Sequence, residues 1–321
     1  MRIRGQRCTT ISTPILTALP SISELMRPVV TIMRPAVGIP SSNDHFIPDF
    51  FGDQYAPLPA LMAAAGVTST LRLGTMVIDN DYRHPLLLAK EVATLDCLSG
   101  GRAELGIGAG WLRTEYEQAG LVFDRAGVRI DRLEEAVRVI KGFWADQPLT
   151  STGAHYQITG IDGVPKPLQR PHPPLLIGGG KERMLRLAGR VADIVGILTS
   201  DVSRGTLTSE LGERTPTAVM QKVDWIRQAA GTRFEQIELS LIPTIIVTDD
   251  RRGRTAALIQ QHGWETPVEA VWQMPSVLIG SVDQIVEDLS ARRTQYGFSY
   301  YVIADDTMEA FAPVVAKLTG H

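Results

Sequence analysis

The sequence of 321 residues lacks the features that mark several special classes of protein. Its two cysteines, Cys8 and Cys97, cannot form a disulfide framework, and such scarcity is typical of the reducing cytoplasm. Since no apolar run reaches about 18 residues, we expect no membrane span. The formal net charge of −3 indicates neither a nucleic-acid partner nor an anionic membrane surface. A hydrophobic fraction of 44% excludes a disordered chain and can supply a large core.

The motifs of several common enzyme classes are also missing. The six histidines have no H-E-x-x-H or other ligand spacing, so we predict no metal site. No G-x-S-x-G nucleophile elbow occurs. Lys181-Glu182 follows three glycines where a Walker loop has Lys-Ser or Lys-Thr, which argues against nucleotide hydrolysis. The third glycine of Gly106, Gly108 and Gly110 comes one residue early for a dinucleotide fingerprint, and we expect no Rossmann site.

From residue 44 onwards, predicted strands and helices alternate. Strands that are apolar along their whole length, with helices between them, indicate a parallel sheet covered on both faces. Residues 145–173, rich in proline and glycine, interrupt the pattern, and 150–158 could be one arm of a hairpin there. The pattern alone leaves open a doubly wound sheet or a closed barrel. The predicted strands are Leu71–Ile78, Ala103–Ile107, Leu175–Ile177, Asp193–Leu198, Glu238–Val247 and Ser299–Ile303.

Two short segments could carry chemistry. An acid precedes a histidine at Asp44-His45, where it could orient the ring of a proton donor or of a hydrogen-bonding group; the alternative is a surface turn. Three glycines, Gly178–Gly180, lie between a strand and a helix. Their backbone could approach a phosphate at the helix N-terminus, or they could form a tight turn without a ligand.

Taken together, these segments resemble the bacterial-luciferase-like family, and most closely its deazaflavin (coenzyme F420)-dependent oxidoreductase branch. The resemblance implies a (β/α)8 TIM-type barrel with a long insertion, which matches residues 145–173. It covers residues 44 to about 200 and is weaker towards the C-terminus. The matching segments are Asp44–Phe46, Leu73–Val77, His84–Glu91, Leu95–Arg102, Leu105–Trp111, Arg129–Glu135, Lys166–Pro174 and Ile177–Gly180.

The resemblance implies a role for each matching residue. Asp44 and His45 would be catalytic, with His45 facing the deazaflavin or the substrate. A non-prolyl cis peptide at Met76–Val77 would support the back of the ring. The other implied cofactor contacts are Gly108, Ala109 and Gly110 beside the ring, and Gly178, Gly179, Gly180 and Thr199 at the phosphate.

The chain departs from the family at Trp111, where sugar-phosphate dehydrogenases of the family carry an acid. Loss of a carboxylate and gain of an aromatic wall argue against sugar-phosphate oxidation. Together with Phe50, Phe51 and Tyr55, Trp111 favours an apolar or conjugated substrate.

The first 43 residues do not fit the barrel pattern. They hold five arginines against one acid, and five prolines, without a sustained helical or strand period. Only Ser21–Met26 is helix-like, and Pro40 stands where the strand before Asp44 is expected. We therefore expect an atypical N-terminal segment at 1–43, with its first β/α unit atypical or missing through a frameshift or a wrong start, and a luciferase-like barrel domain at 44–321.

These features predict a cytoplasmic enzyme that transfers a hydride between coenzyme F420 and a small organic substrate. A homodimer is expected from the family, and neither a nucleic acid nor a membrane is expected as a partner. Two alternatives stay open. One is an FMN-dependent luciferase-like monooxygenase, and the other is an inactive cofactor-binding remnant, if residues 1–43 cannot supply the first unit of the barrel.

Overall fold

The computed structural model describes residues 31–33, 43–48, 54–208 and 210–318. Strands and helices alternate along these residues, which confirms the predicted α/β class. The predicted atypical segment 1–43 lies almost wholly outside the described residues, so the missing first unit and the altered start remain predictions. Phe50 and Phe51 also lie outside them.

The strands and helices have the following bounds. The strands are β1 (Thr31–Met33), β2 (Leu73–Gly74), β3 (Ile78–Asp79), β4 (Ala103–Gly108), β5 (Leu149–Thr152), β6 (Gln157–Ile161), β7 (Leu175–Gly179), β8 (Ile194–Ile197), β9 (Glu238–Leu241), β10 (Thr244–Val247), β11 (Val277–Gly280) and β12 (Phe298–Ala304). The helices are α1 (Pro57–Val67), α2 (Pro85–Ser99), α3 (Arg113–Gln118), α4 (Ala126–Trp144), α5 (Glu182–Val191), α6 (Pro216–Ala230), α7 (Arg251–His262), α8 (Val268–Trp272), α9 (Val282–Tyr296) and α10 (Asp305–Leu318).

The main sheet is parallel, as the apolar strands predicted. Its order is β1-β12-β9-β8-β7-β4-β2, and β3 also pairs with β4. Within the described residues, β1 and β2 stand at the two ends of this order. The pattern did not predict β1, which pairs with Val302–Ala304 of β12. This curled parallel sheet brings the C-terminal ends of its strands to one side of the molecule.

Two predicted strands are broken in the structure. Leu71–Ile78 contains only the short strand β2 and the first residue of β3, and the cis peptide Met76–Val77 lies between them. Glu238–Val247 divides around Pro243, which has no N–H for a ladder hydrogen bond. After this break, β9 stays in the main sheet while β10 pairs with β11, a strand that the sequence analysis missed.

Local sequence signals explain other elements. Residues 150–158 are not one hairpin arm, because β5 and β6 both enter this range and form an antiparallel hairpin around Gly153–Tyr156. Ser281 followed three residues later by Gln284 is a sequence pattern that predicts a capping box. The structure confirms that this box starts α9, since the Ser281 hydroxyl accepts the Gln284 N–H and the Gln284 side chain accepts the Ser281 N–H. The described residues include no helix with the length and apolar character to cross a membrane.

The central strands of the main sheet are largely buried, and some of their side chains support the wall of a cavity. Every residue of β4 is buried, as predicted for a strand covered on both sides. One cluster of buried side chains comes from neighbouring strands and has Met76 and Val77 packed against it. Its members are Leu176, Ile194, Tyr300 and Val302. Because Met76, Val77 and Leu176 also line a cavity, this cluster supports the cavity wall.

Candidate active site

A cavity of about 300 Å³ lies at the C-terminal ends of β4, β7, β8 and β9, the side on which barrel enzymes carry their active sites. Most of the residues assigned by resemblance line it. These are Asp44, His45, Met76, Val77, Gly108, Ala109, Gly110, Trp111, Gly178, Gly179 and Gly180. Of the other described candidates, Thr199 is buried but does not line the cavity, and Tyr55 is 75% exposed and does not line it either.

His45 is fixed by Glu115, a residue that the sequence analysis missed. His45 Nδ1 lies 2.8 Å from Glu115 Oε2, and the Glu115 carboxylate is only 1% exposed. The same carboxylate accepts the N–H groups of Phe46 at 2.7 Å and Ile47 at 3.1 Å, and the Tyr82 hydroxyl at 3.1 Å. One buried acid at the start of α3 therefore holds both the ring and the backbone of the His45 loop.

Asp44 is held by Asp79, the last residue of β3. Its two carboxylate oxygens lie 3.0 and 3.2 Å from the Asp79 backbone nitrogen and accept its N–H. Burial raises the pKa of Asp44 to about 6, against the opposing effect of this hydrogen bond. The pair Asp44-His45 is thus anchored on both sides, by Asp79 and by Glu115.

Asp79 forms a second buried centre with Tyr116. The Tyr116 hydroxyl lies 2.9 and 2.8 Å from the two Asp79 carboxylate oxygens, and 3.2 Å from Asp81 Oδ2. Gly110 has a φ of 71°, and a Cβ there would fall 1.9 Å from the Tyr116 hydroxyl and 2.4 Å from Asp79 Oδ2. The Asp79–Tyr116 pair therefore packs directly against the Gly108–Gly110 turn, which only glycine can form here.

Arg129 of α4 holds the same turn from its carbonyl side. Its guanidinium donates to the carbonyl oxygens of Ala109 at 3.1 Å and Gly110 at 3.3 Å. It also stacks over the Phe123 ring, 4.0 Å from the centroid. The backbone of the turn is thus fixed by side chains from two helices, Tyr116 of α3 and Arg129 of α4.

The cis peptide implied by the resemblance is present at Met76–Val77. Elsewhere in the cavity wall, Gly178 of β7 pairs in register with Gly196 of β8, and both line the cavity. A Cβ at Gly178 would meet no described atom closer than 3.9 Å. This part of the wall therefore has open space where a side chain would stand.

Charges at the start of α5 are balanced. Lys181 Nζ lies 2.6 Å from Glu213 Oε1 and 3.2 Å from Asp201 Oδ2. Lys222 Nζ lies 2.7 Å from the other Glu213 oxygen. These contacts stabilise ionised Glu213, whose pKa is lowered by the hydrogen bonds from both lysines although burial opposes it.

Trp111 stands beside His45, with ring centroids 5.6 Å apart and planes at 76°. Trp111 was predicted to remove a carboxylate from the site. Glu115, four residues on, nevertheless places a carboxylate against His45. No local pattern marked Glu115 or Tyr116, whose burial in the six-residue helix α3 is seen only in the structure. Among the described residues, no group of three or more His, Cys, Asp or Glu side chains could hold a metal ion.

Comparison with known proteins gives a consistent family. The sequence model of the luciferase-like monooxygenase family matches residues 41–300. The FMNH2-dependent dimethylsulfone monooxygenase of Pseudomonas putida is 34% identical over 201 residues, which are 63% of this chain and 50% of that protein. The F420-dependent glucose-6-phosphate dehydrogenase of Kineococcus radiotolerans is 36% identical over 154 residues, 47% of this chain and 45% of that protein. The chain thus spans about half the length of the curated relatives it matches.

The fold has solved counterparts. The coenzyme F420-dependent tetrahydromethanopterin reductase of Methanopyrus kandleri matches with a TM-score of 0.66 at 19% identity, over 86% of this chain and 88% of that chain. At this identity the likeness supports the fold alone, since one fold hosts many chemistries.

Proposed function

The chain belongs to the luciferase-like monooxygenase family, and on that premise we propose that it is an oxidoreductase that transfers a hydride between coenzyme F420 and a small organic substrate. The names of the relatives mention two different cofactors, coenzyme F420 and reduced FMN. Our choice of coenzyme F420 rests on the resemblance of the segments around Asp44, Gly108 and Gly178 to the deazaflavin branch.

The observation that carries the proposal is the open wall where β7 and β8 meet. Gly178 and Gly196 face the cavity side by side, and a Cβ at Gly178 would project into it. The residues present therefore fit a flat ring system with an extended chain. We assign the phosphate to the backbone of Gly178–Gly180 at the start of α5, where free N–H groups and the helix dipole favour an anion.

We assign the ring to the part of the cavity that is lined by Met76–Val77 and by the Gly108–Gly110 turn. These two segments adjoin each other, since a Cβ at Gly108 would lie 3.0 Å from Val77 Cγ2. Coenzyme F420, when bound, supplies a hydride carrier that activates oxygen poorly. The chain's contribution is a rigid frame, because Arg129 and Tyr116 hold the turn and a packed apolar cluster supports Val77.

Hydride transfer to or from a carbon–oxygen bond also moves a proton, and we assign that proton to His45. Glu115 accepts from Nδ1 at 2.8 Å, which fixes the ring orientation and makes Nδ1 the donor nitrogen. Proton exchange with the substrate then uses Nε2. Glu115 acts through His45, as a positioning residue.

The surroundings of His45 favour an apolar or conjugated substrate. Trp111 meets the imidazole edge to face, and the nearby wall includes Met76, Leu176 and Ile197. A sugar phosphate would need cationic partners, whereas Lys181 is engaged by Asp201 and Glu213. These features support a substrate recognised by stacking and shape.

Titration of the purified protein with coenzyme F420 and with FMN tests the proposal. We expect tight binding of coenzyme F420, and at least about tenfold weaker binding to Gly178→Val, because the added side chain occupies the cavity. His45→Ala is the matched control, since it should keep cofactor binding while losing turnover. Tight binding of FMN and none of coenzyme F420 would replace the proposal with an FMN-dependent monooxygenase. Full turnover by His45→Ala would remove His45 from the mechanism.

A further inference from the structure

We propose that Asp79 is a positioning residue that holds the three backbone segments around the cavity in their binding arrangement, through its backbone N–H and its carboxyl group. The proposal rests on the proposed function for its consequence, which is cofactor affinity. Its geometric part concerns the free protein. The segments are Asp44-His45, the end of β3 after Met76–Val77, and the Gly108–Gly110 turn.

Asp79 contacts all three segments. It belongs to β3, the strand that begins directly after the cis peptide. Its backbone N–H donates a hydrogen bond to the Asp44 carboxylate, with a nitrogen–oxygen distance of 3.0 Å. Its carboxyl group lies against the Gly110 Cα, where a Cβ would be 2.4 Å from Oδ2. The Tyr116 hydroxyl lies within 2.9 Å of both carboxyl oxygens. One residue, 8% exposed and facing the cavity, therefore joins elements that are far apart in sequence through its backbone N–H and its side chain.

The charges around Asp79 make its ionised form unfavourable. Asp44 and Asp81 are two further carboxyl groups beside it, while Tyr116 stabilises the ionised form by its hydrogen bond. Tyr82 and Arg129 also interact with its charge. Burial has the largest effect and raises the pKa of Asp79 to about 8. At neutral pH, Asp79 is thus predominantly protonated, and the buried cluster carries one negative charge fewer.

Loss of this proton disturbs the arrangement through Asp44. The Asp44 carboxylate is bound to the backbone of the residue that becomes charged. A second charge at Asp79 repels Asp44 and weakens the anchor of the His45 loop. If only the protonated form binds cofactor, the apparent dissociation constant rises about tenfold for each pH unit above the midpoint.

The experiment follows two signals in the wild type, Asp79→Asn and Tyr116→Phe. One signal is the imidazole NMR resonance of His45 in the free protein, and the other is the dissociation constant of coenzyme F420. In the wild type, we expect the His45 resonance and the dissociation constant to change together as the pH rises, in a step with its midpoint near pH 8. Asp79→Asn cannot ionise, so the step should vanish. Tyr116→Phe should move the step to higher pH, because it removes a hydrogen bond that favours the ionised form.

The loss of the pH step in Asp79→Asn and its shift in Tyr116→Phe together separate positioning from a merely structural role. The ratio of wild-type to Asp79→Asn dissociation constants also cancels any ionisation of the ligand itself. A His45 step near pH 8 that persists in Asp79→Asn, or that moves to lower pH in Tyr116→Phe, overturns the proposal. If coenzyme F420 binds none of the proteins, the proposed function fails, while the NMR titration still supports or overturns the role of Asp79. Should Asp79→Asn not fold, the Tyr116→Phe shift decides.

Discussion

Substitution of Gly110 by alanine should be far more damaging than the same change at Gly120. Both glycines have a φ of 71°, so the left-handed backbone costs an alanine about 1–2 kcal/mol at either position. A Cβ at Gly120 meets no described atom within 4 Å. At Gly110 it would lie 1.9 Å from the Tyr116 hydroxyl, so the Tyr116–Asp79 hydrogen bonds must break. Leaving these buried groups unpaired costs a further 1–3 kcal/mol or so.

Urea unfolding at neutral pH measures the difference directly. Gly120→Ala should lower the free energy of unfolding by about 1–2 kcal/mol, and Gly110→Ala by about 2–5 kcal/mol. The smaller unfolded-state entropy of alanine affects both variants alike and cancels in the comparison. In a Tyr116→Phe background, the excess cost at Gly110 should shrink, because the nearest clashing atom is gone. Equal losses for Gly110→Ala and Gly120→Ala would refute the close packing of Asp79 and Tyr116 behind the turn.

Three further outcomes follow from the same contacts. Glu115→Gln should lower kcat by about 100-fold with a smaller change in cofactor affinity, in steady-state kinetics and titration, because the carboxylate that orients His45 is lost. Stability should fall as the pH rises from about 4 through 6 and 8, since the folded pKa values of Asp44 and Asp79 are raised from 3.8 to about 6 and about 8. In thermal melts at several pH values, the free energy of unfolding of Asp79→Asn should fall less steeply with pH than that of the wild type, by about 1.4 kcal/mol per pH unit. Ser281→Ala should cost about 1 kcal/mol in urea unfolding through the lost cap, without changing cofactor affinity.

Local signals in the sequence were sufficient for much of the fold. The alternation of apolar strands with helices predicted the parallel sheet, and Ser281 with Gln284 predicted the start of α9. These features depend on neighbours along the chain or on burial of both strand faces. β11 was missed because its three apolar residues and one glycine follow a long polar helical region, and its pairing partner β10 is far away in sequence.

The contacts that build the candidate site are of the opposite kind. Glu115 reaches His45 across 70 positions, and Tyr116 reaches Asp79 across 37. No local pattern encodes such pairings, and only the resemblance indicated that Asp44-His45 and Gly108–Gly110 belong together. Asp79 ends a parallel strand, where site residues of barrels are found, yet the strand predicted from the sequence stops one residue earlier, at Ile78.

The same long-range contacts bear on the alternative of an inactive remnant. That alternative depends on residues 1–43, whereas the groups that hold Asp44-His45 are Asp79 and Glu115, in the continuous stretch 54–208. The Gly108–Gly110 turn is likewise fixed from α3 and α4. Among the described residues, these contacts around His45 therefore come from elements that follow the atypical segment, while Asn43, the last residue of that segment, lines the same cavity. If the chain forms a stable fold, a single cooperative melt should appear, and coenzyme F420 should raise its midpoint with increasing concentration. A broad, ligand-insensitive transition would instead favour the remnant, and would place its defect in the stability of the barrel.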